Sequence, residues 1–101
     1  MQYGLSAQTL EKILDVFGRY PQVEEVVLYG SRARGDYKNG SDIDLTLRGS
    51  SNLTHTLVSR IANELDNQLL PYTIDLCIFK NIRNPEMVEQ IERIGVALYK
   101  K

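Results

Sequence analysis

Two aspartates one residue apart, Asp42 and Asp44, have the types and spacing that could support chemistry. In the segment Asp42 to Leu47 polar residues alternate with aliphatic ones, a pattern that predicts a half-buried strand. Alternate residues of a strand share a face, so both carboxylates would point the same way, with Cα atoms roughly 6.6 Å apart. Such carboxylates repel unless a cation lies between them, and their hard oxygens suit Mg²⁺, which keeps sites for water and phosphates.

A third aspartate, Asp75, lies within another predicted strand, Tyr72 to Phe79. The aliphatic residues that alternate with it would face the core, while Asp75 would face the opposite side with Cys77. If this strand lies beside the first one, three carboxylates converge on one face of the sheet. That constellation fits two-metal phosphoryl-type transfer. The predicted catalytic and metal-binding set is therefore Asp42, Asp44 and Asp75.

A glycine–serine turn, Gly30-Ser31, follows the aliphatic segment Val23 to Tyr29, which predicts a strand. Glycine lets the backbone come close to a ligand, and the turn amides with the Ser31 hydroxyl could meet phosphate oxygens. If residues 31–35 start a helical turn, its N-terminus favours an anion. Nearby arginines add positive charge, and Ser41 could support the metal site. The predicted nucleotide-binding residues are Gly30, Ser31, Arg32, Arg34 and Ser41.

Each of these residues also has an ordinary structural explanation. The paired acids could be solvated on an exposed turn and strand, and Asp75 could be an edge-strand charge. Arg32 and Arg34 could be solvated surface residues, and Ser41 could be a turn residue only. Cys77 fits a packed strand position better than a nucleophile, because no histidine or basic residue adjoins it in sequence.

Helices are predicted on either side of these strands. Ser6 can cap a first helix that ends at Gly18, and a second helix is predicted from about Asn52 to Leu70, before Pro71. Asn84 and Pro85 begin a third helix, which Gly95 stops, and Val96 to Tyr99 could be a short strand. The apolar rows of the later helices are Leu53, Leu57, Ile61, Leu65 and Leu69, and then Met87, Ile91 and Ile94.

The alternation of strands and helices predicts an α/β fold (α+β in stricter schemes), a small mixed β-sheet flanked by helices. We expect the helices on one face of the sheet and a single domain over residues 1–101. A net charge of −1 argues against stable binding of duplex nucleic acid. One cysteine, no signal-peptide pattern and no long apolar run predict a cytoplasmic protein with no membrane partner.

The spacing of these residues resembles that of the DNA polymerase β nucleotidyltransferase superfamily. Gly30-Ser31 is followed after ten residues by Asp42-x-Asp44, with Asp75 on a later strand. Over roughly Val23 to Phe79 the chain resembles the minimal nucleotidyltransferases, the MNT antitoxin type encoded beside HEPN-domain partners. The resemblance implies a nucleotidyltransferase fold in which the serine region binds triphosphate, the paired acids hold the metals, and Asp75 completes the metal site and assists deprotonation of the acceptor.

The activity implied by this resemblance is Mg²⁺-dependent transfer of AMP from ATP to a hydroxyl of a partner protein. The resemblance also implies two Mg²⁺ ions and a tyrosine acceptor on a helical HEPN-type toxin. A hetero-oligomer with that partner is expected, because the chain shows no separate lobe to hold an acceptor. The nucleotide base is implied by resemblance only. Two alternatives remain: a non-catalytic nucleotide-binding module that neutralises its partner by masking, and a nucleotidyltransferase that modifies a small molecule such as an antibiotic.

Overall fold

The computed structural model describes residues 2–101, and no helix in that range is long and apolar enough to cross a membrane. In chain order the elements are α1 (Ala7–Phe17), β1 (Val23–Tyr29), α2 (Ser31–Arg34), β2 (Ile43–Gly49), α3 (His55–Asp66), β3 (Ile74–Ile78), a 3₁₀ turn (Phe79–Asn81), α4 (Pro85–Ile94) and β4 (Val96–Lys100).

The four strands form one sheet in the order β3-β2-β1-β4. β1 is antiparallel to both of its neighbours, whereas β2 and β3 are parallel. Parallel neighbours need a crossover connection, and α3 supplies it. The predicted small mixed sheet flanked by helices is therefore confirmed.

The main core fills the space between the sheet and the pair α1 and α3. Phe17 and Ile61 of these helices contribute to it together with Leu28 of β1 and Leu45 of β2, and all four are fully buried. Burial of these side chains removes apolar surface from water, which stabilises the fold by about 25 cal/mol for each Å². Because Leu45 faces this core, its neighbour Asp44 lies on the opposite face of the sheet.

Polar side chains set the beginnings of the flanking helices as predicted. The Ser6 hydroxyl accepts a hydrogen bond of 3.1 Å from the Thr9 amide at the start of α1, which ends before Gly18. The Asn84 carboxamide oxygen accepts from the Glu86 amide at 2.9 Å, with Pro85 in the first position of α4. Each cap satisfies amides that have no partner within the helix.

The position of α4 differs from the expectation that all helices lie on one face. Val27 faces away from the main core and is 6% exposed, and Ile91 of α4 is 3% exposed without belonging to that core. Val27 lies against the end of α4, where a Cβ built on Gly95 would approach Val27 Cγ1 to 2.8 Å. Connections between parallel strands are right-handed, and β4 lies on the other side of β2 from β3. The crossover through α4 therefore runs over the second face.

The second predicted helix was too long at both ends. Thr54 caps α3, its hydroxyl accepting from the Leu57 amide, so Leu53 is buried in the preceding turn. At the other end Leu69 has a left-handed backbone conformation (φ 56°) and is 88% exposed. Its place in the apolar row was therefore wrong, because the helix ends at Asp66 before reaching it.

The predicted strand ends shift by one or two residues. β2 continues to Gly49, which pairs with Val23, but begins at Ile43 rather than Asp42. β3 begins at Ile74 rather than Tyr72 and ends at Ile78, because Phe79 already begins the 3₁₀ turn. β1 has the predicted bounds, and the short final strand extends one residue further, to Lys100.

Candidate active site

Three polar side chains form a row across the second face of the sheet. In the strand register Tyr29 lies opposite Asp44, and Asp44 lies beside Asp75. Neighbouring strands are roughly 4.8 Å apart, so the two carboxylates stand side by side. Asp42, just before β2, is exposed and shares the alternation of Asp44. The structure thus places Asp44 beside Asp75, with Asp42 near enough to act on Asp44 electrostatically, and the catalytic and metal-binding roles of the three acids stay predictions.

The electrostatic state of Asp44 reflects this crowding. Burial raises the pKa of its carboxyl above the ordinary value, and the negative charges of Asp75 and Asp42 raise it further. A hydrogen bond with the Asp75 side chain acts in the same direction, whereas the positive charge of Arg34 lowers the pKa. The site therefore destabilises an ionised Asp44, which is the condition that a bound cation would relieve.

Gly30 occupies a position that an L-residue would not tolerate. Its backbone has φ 76° and ψ −154°, and a Cβ placed there would collide with Oδ2 of Asp44. The sequence pointed to close approach of a ligand at this glycine. The structure adds that Gly30 also leaves room for the carboxylate itself.

Residues 31–34 form a helical turn, which the prediction of anion binding at this position required. The Arg34 amide donates to the Gly30 carbonyl at 3.0 Å, and Ser31 is partly buried at the start of this turn. The guanidinium of Arg34 is exposed, contacts Asp36 at 3.4 Å and is close enough to lower the pKa of Asp44. Ser31 and Arg34 therefore lie beside Asp42, Asp44 and Asp75, which together form the acidic row.

Arg32 points in a different direction from Arg34. Its side chain is 2% exposed and donates to the Ser41 carbonyl at 2.8 Å and to the Tyr3 carbonyl at 2.8 Å. The Ser41 hydroxyl accepts a 2.8 Å hydrogen bond from the Lys38 amide, which closes the turn before β2. The predicted phosphate contacts of Arg32 and Ser41 stay predictions, and in the structure both residues brace loops.

Tyr29 and Cys77 are neighbours of the acidic row that the sequence did not single out as a pair. The Tyr29 hydroxyl and the Cys77 sulfur are 3.6 Å apart. Burial, followed by the contact with Cys77 and the charges of Asp44 and Asp75, raises the pKa of Tyr29 far above its ordinary value. The phenol therefore stays protonated beside the carboxylates. Only knowledge of the strand register could have found this pair.

The acidic row suits a metal that takes part of its coordination from a substrate. Among residues 2–101 no three acidic, histidine or cysteine side chains converge closely enough to enclose an ion by themselves. The two adjacent carboxylates of Asp44 and Asp75, with Asp42 at the open edge, are hard oxygen donors. Mg²⁺ is commonly bound by one or two carboxylates with water and phosphates, so this donor set fits it.

Comparisons with known proteins agree with this geometry. The family profile described as "Polymerase beta, Nucleotidyltransferase" matches residues 11–101. Comparison with curated protein sequences gives no match.

Solved structures share the fold at low sequence identity. A chain of a toxin–antitoxin crystal structure with AMP-PNP has a TM-score of 0.73 and 22% identity, over 91% of this chain and 73% of that one. A chain from a complex of tri-AMPylated Shewanella oneidensis HEPN toxin with MNT antitoxin has a TM-score of 0.67 and 19% identity, over 93% and 71%. A candidate minimal nucleotidyltransferase has a TM-score of 0.69 and 24% identity, over 95% of each chain.

Proposed function

Since this chain belongs to the polymerase β nucleotidyltransferase family, we propose that it transfers AMP from ATP to a protein hydroxyl in a Mg²⁺-dependent reaction. The observation that carries the proposal is the row of carboxylates, with Asp44 and Asp75 in register and Asp42 at its edge, beside the Gly30 turn. In this reaction the acceptor oxygen attacks the α-phosphate of ATP, the bond to the bridging oxygen breaks, and pyrophosphate leaves.

The metal ligands in this proposal are Asp42, Asp44 and Asp75. Two Mg²⁺ ions bound there would neutralise charge on the phosphates. The raised pKa of Asp44 supports the assignment, because a group that resists ionisation beside other acids gains most from a neighbouring cation. Asp75 has a second role, accepting the proton of the acceptor hydroxyl as the new phosphate ester forms.

Gly30, Ser31 and Arg34 form the triphosphate site in this proposal. The amides of α2 and the Ser31 hydroxyl would contact the triphosphate, and Arg34 adds a charge within electrostatic reach of Asp44. Arg32 and Ser41 act indirectly, because the Arg32 guanidinium ties the Ser41 carbonyl to the N-terminal loop and so fixes the start of β2.

The acceptor is a tyrosine of a HEPN-type helical toxin, with which this chain forms a hetero-oligomer in the cytoplasm as its antitoxin. This part is supported by the neighbouring folds, which occur in toxin–antitoxin complexes, one of them with an AMPylated HEPN toxin. An AMP group adds bulk and negative charge, so its attachment would inactivate the toxin at the modified site.

Intact-mass spectrometry of the partner after incubation with ATP and Mg²⁺ tests the proposal. Wild type should add the mass of one or more AMP units, and Asp75→Asn should add none while still binding the partner. Asp66→Asn, at an exposed carboxylate at the end of α3, is the matched control and should transfer normally. A partner neutralised by both proteins without any gain in mass would make the chain a masking antitoxin and refute transfer.

A further inference from the structure

A second concave site lies away from the acidic row. It is a cavity of about 480 Å³ beside the turn that precedes β2, and Gly4, Arg32, Tyr37, Lys38 and Tyr72 contribute to its wall. No residue of the acidic row lines it. Tyr72 packs against the main core, which is on the other side of the sheet from Asp44 and Asp75.

The charge at this cavity is not balanced by an acid. Arg32 is 2% exposed, and no carboxylate within residues 2–101 forms an ion pair with it. Its protein acceptors are the carbonyls of Ser41 and Tyr3. A guanidinium has more N–H donors than these contacts use, so each terminal nitrogen keeps a further N–H. A buried cation without a carboxylate partner is costly, and an anion in the cavity would offset that cost.

The walls of the cavity add a preference for a flat ring. The Arg32 guanidinium carbon is 5.2 Å from the centre of the Tyr37 ring and 4.9 Å from the centre of the Tyr72 ring. Tyr37 is 36% exposed, so part of its ring is open to a ligand. Lys38 supplies a second positive charge, and none of the residues that line this cavity is acidic. By contrast, the cavity beside α1 is lined by Glu11 and Asp15 as well as Lys12.

We propose that this cavity binds a nucleoside monophosphate independently of the acidic row and of Mg²⁺. The phosphate is held by the positive charges of Arg32 and Lys38, and the base stacks on the exposed part of Tyr37. An anion with a planar ring is the ligand class that uses both features of the wall. Transfer chemistry is not involved, so the proposal can fail or succeed independently of the function assigned above.

Titration calorimetry with AMP in the presence of EDTA tests the site, because phosphates have little affinity for three uncompensated carboxylates. Wild type should bind AMP saturably, and Tyr37→Ala should weaken binding roughly ten-fold or more, as expected for loss of a stacked base. Lys38→Gln should weaken it by a smaller factor. Lys12→Gln is the matched control at an exposed lysine and should bind as wild type does.

Two further measurements separate this site from its alternatives. Asp42→Asn should leave Mg²⁺-free AMP binding unchanged, whereas a change would place the ligand at the acidic row and overturn the proposal. Inorganic phosphate should bind more weakly than AMP, and equal affinity would show that no ring is recognised. Absence of saturable AMP binding, or full binding by both folded variants Tyr37→Ala and Lys38→Gln, would also refute it.

Discussion

Substitution of Gly30 by alanine should separate catalytic geometry from stability. The added Cβ meets Oδ2 of Asp44, and that oxygen must withdraw by about 1 Å to reach ordinary contact distance. Because the collision is with the end of a side chain, Asp44 can rotate away instead of forcing the backbone apart. A displacement of this size in a reacting constellation lowers rate by about 100-fold. We therefore expect Gly30→Ala to lose transfer activity while remaining folded.

The effect of this change on stability is calculable from the backbone. A non-glycine residue at φ 76° and ψ −154° costs about 1–3 kcal/mol, less about 0.4–1 kcal/mol from the stiffer unfolded chain. Gly35→Ala is the matched control, since Gly35 also has positive φ (95°) but a Cβ there would meet nothing. It should lose less stability, because the left-handed conformation of Gly35 is open to L-residues whereas that of Gly30 is essentially restricted to glycine. Tm should fall by roughly 4–8 °C for each kcal/mol in both variants.

The assay is the initial rate of AMP transfer to the partner at saturating ATP and Mg²⁺, with Tm measured by calorimetry on the same preparations. The prediction requires Gly30→Ala to lose activity and Gly35→Ala to keep it at temperatures where both are folded. Transfer by Gly30→Ala within a few-fold of wild type would refute the role assigned to the Asp44 position. Equal loss in both variants would show that chain strain alone is responsible.

Three other substitutions give independent measurements. Because the pKa of Asp44 is raised in the fold, protonation of this carboxyl favours the folded state. The free energy of unfolding of the metal-free protein should therefore decline as pH rises through the acid range. Urea unfolding in EDTA should show a flatter decline for Asp44→Asn. Leu69→Gly should raise the free energy of unfolding by up to about 1 kcal/mol, since it relieves a left-handed leucine that is 88% exposed; an unchanged urea midpoint would contradict this. Ser31→Ala should weaken Mg²⁺-ATP binding by roughly 1.5–3 kcal/mol in calorimetry, which is the value of one hydrogen bond to a charged group. Unchanged affinity would show that the triphosphate binds at another position.

The sequence predicted those parts of the molecule that depend on local chemistry. Caps at Ser6 and Asn84 and the alternation around Asp44 have causes within a few residues, and all appear in the structure. The prediction that Leu69 belongs to the apolar row of the second helix was wrong, because a repeat of leucines every four residues does not show where the helix ends. The prediction that all helices lie on one face of the sheet was wrong for α4, because the face that α4 covers depends on strand order, which no local pattern encodes.

The candidate site shows the same division between local and distant causes. Residue type and spacing predicted the group of acids and the Gly30 turn, and the structure places Asp44 beside both Asp75 and Gly30. The different orientations of Arg32 and Arg34 could not be predicted from the sequence, because both are arginines two residues apart on one short turn. Arg32 is drawn inward by carbonyls of Tyr3 and Ser41, which come from two separate loops.

The pairing of β4 with β1 has a consequence for how the protein is made. Glu25 pairs with Lys100, so the strand that leads into the Gly30 turn acquires its second neighbour from the last element described. During synthesis, chains lengthen by roughly 5–20 residues per second, and β1 must wait with one edge unpaired until β4 has emerged from the ribosome. An unpaired edge is open to association with other chains. One edge of β1 should therefore stay open in the nascent chain until β4 pairs with it, whereas the row of Tyr29, Asp44 and Asp75 needs only β1, β2 and β3.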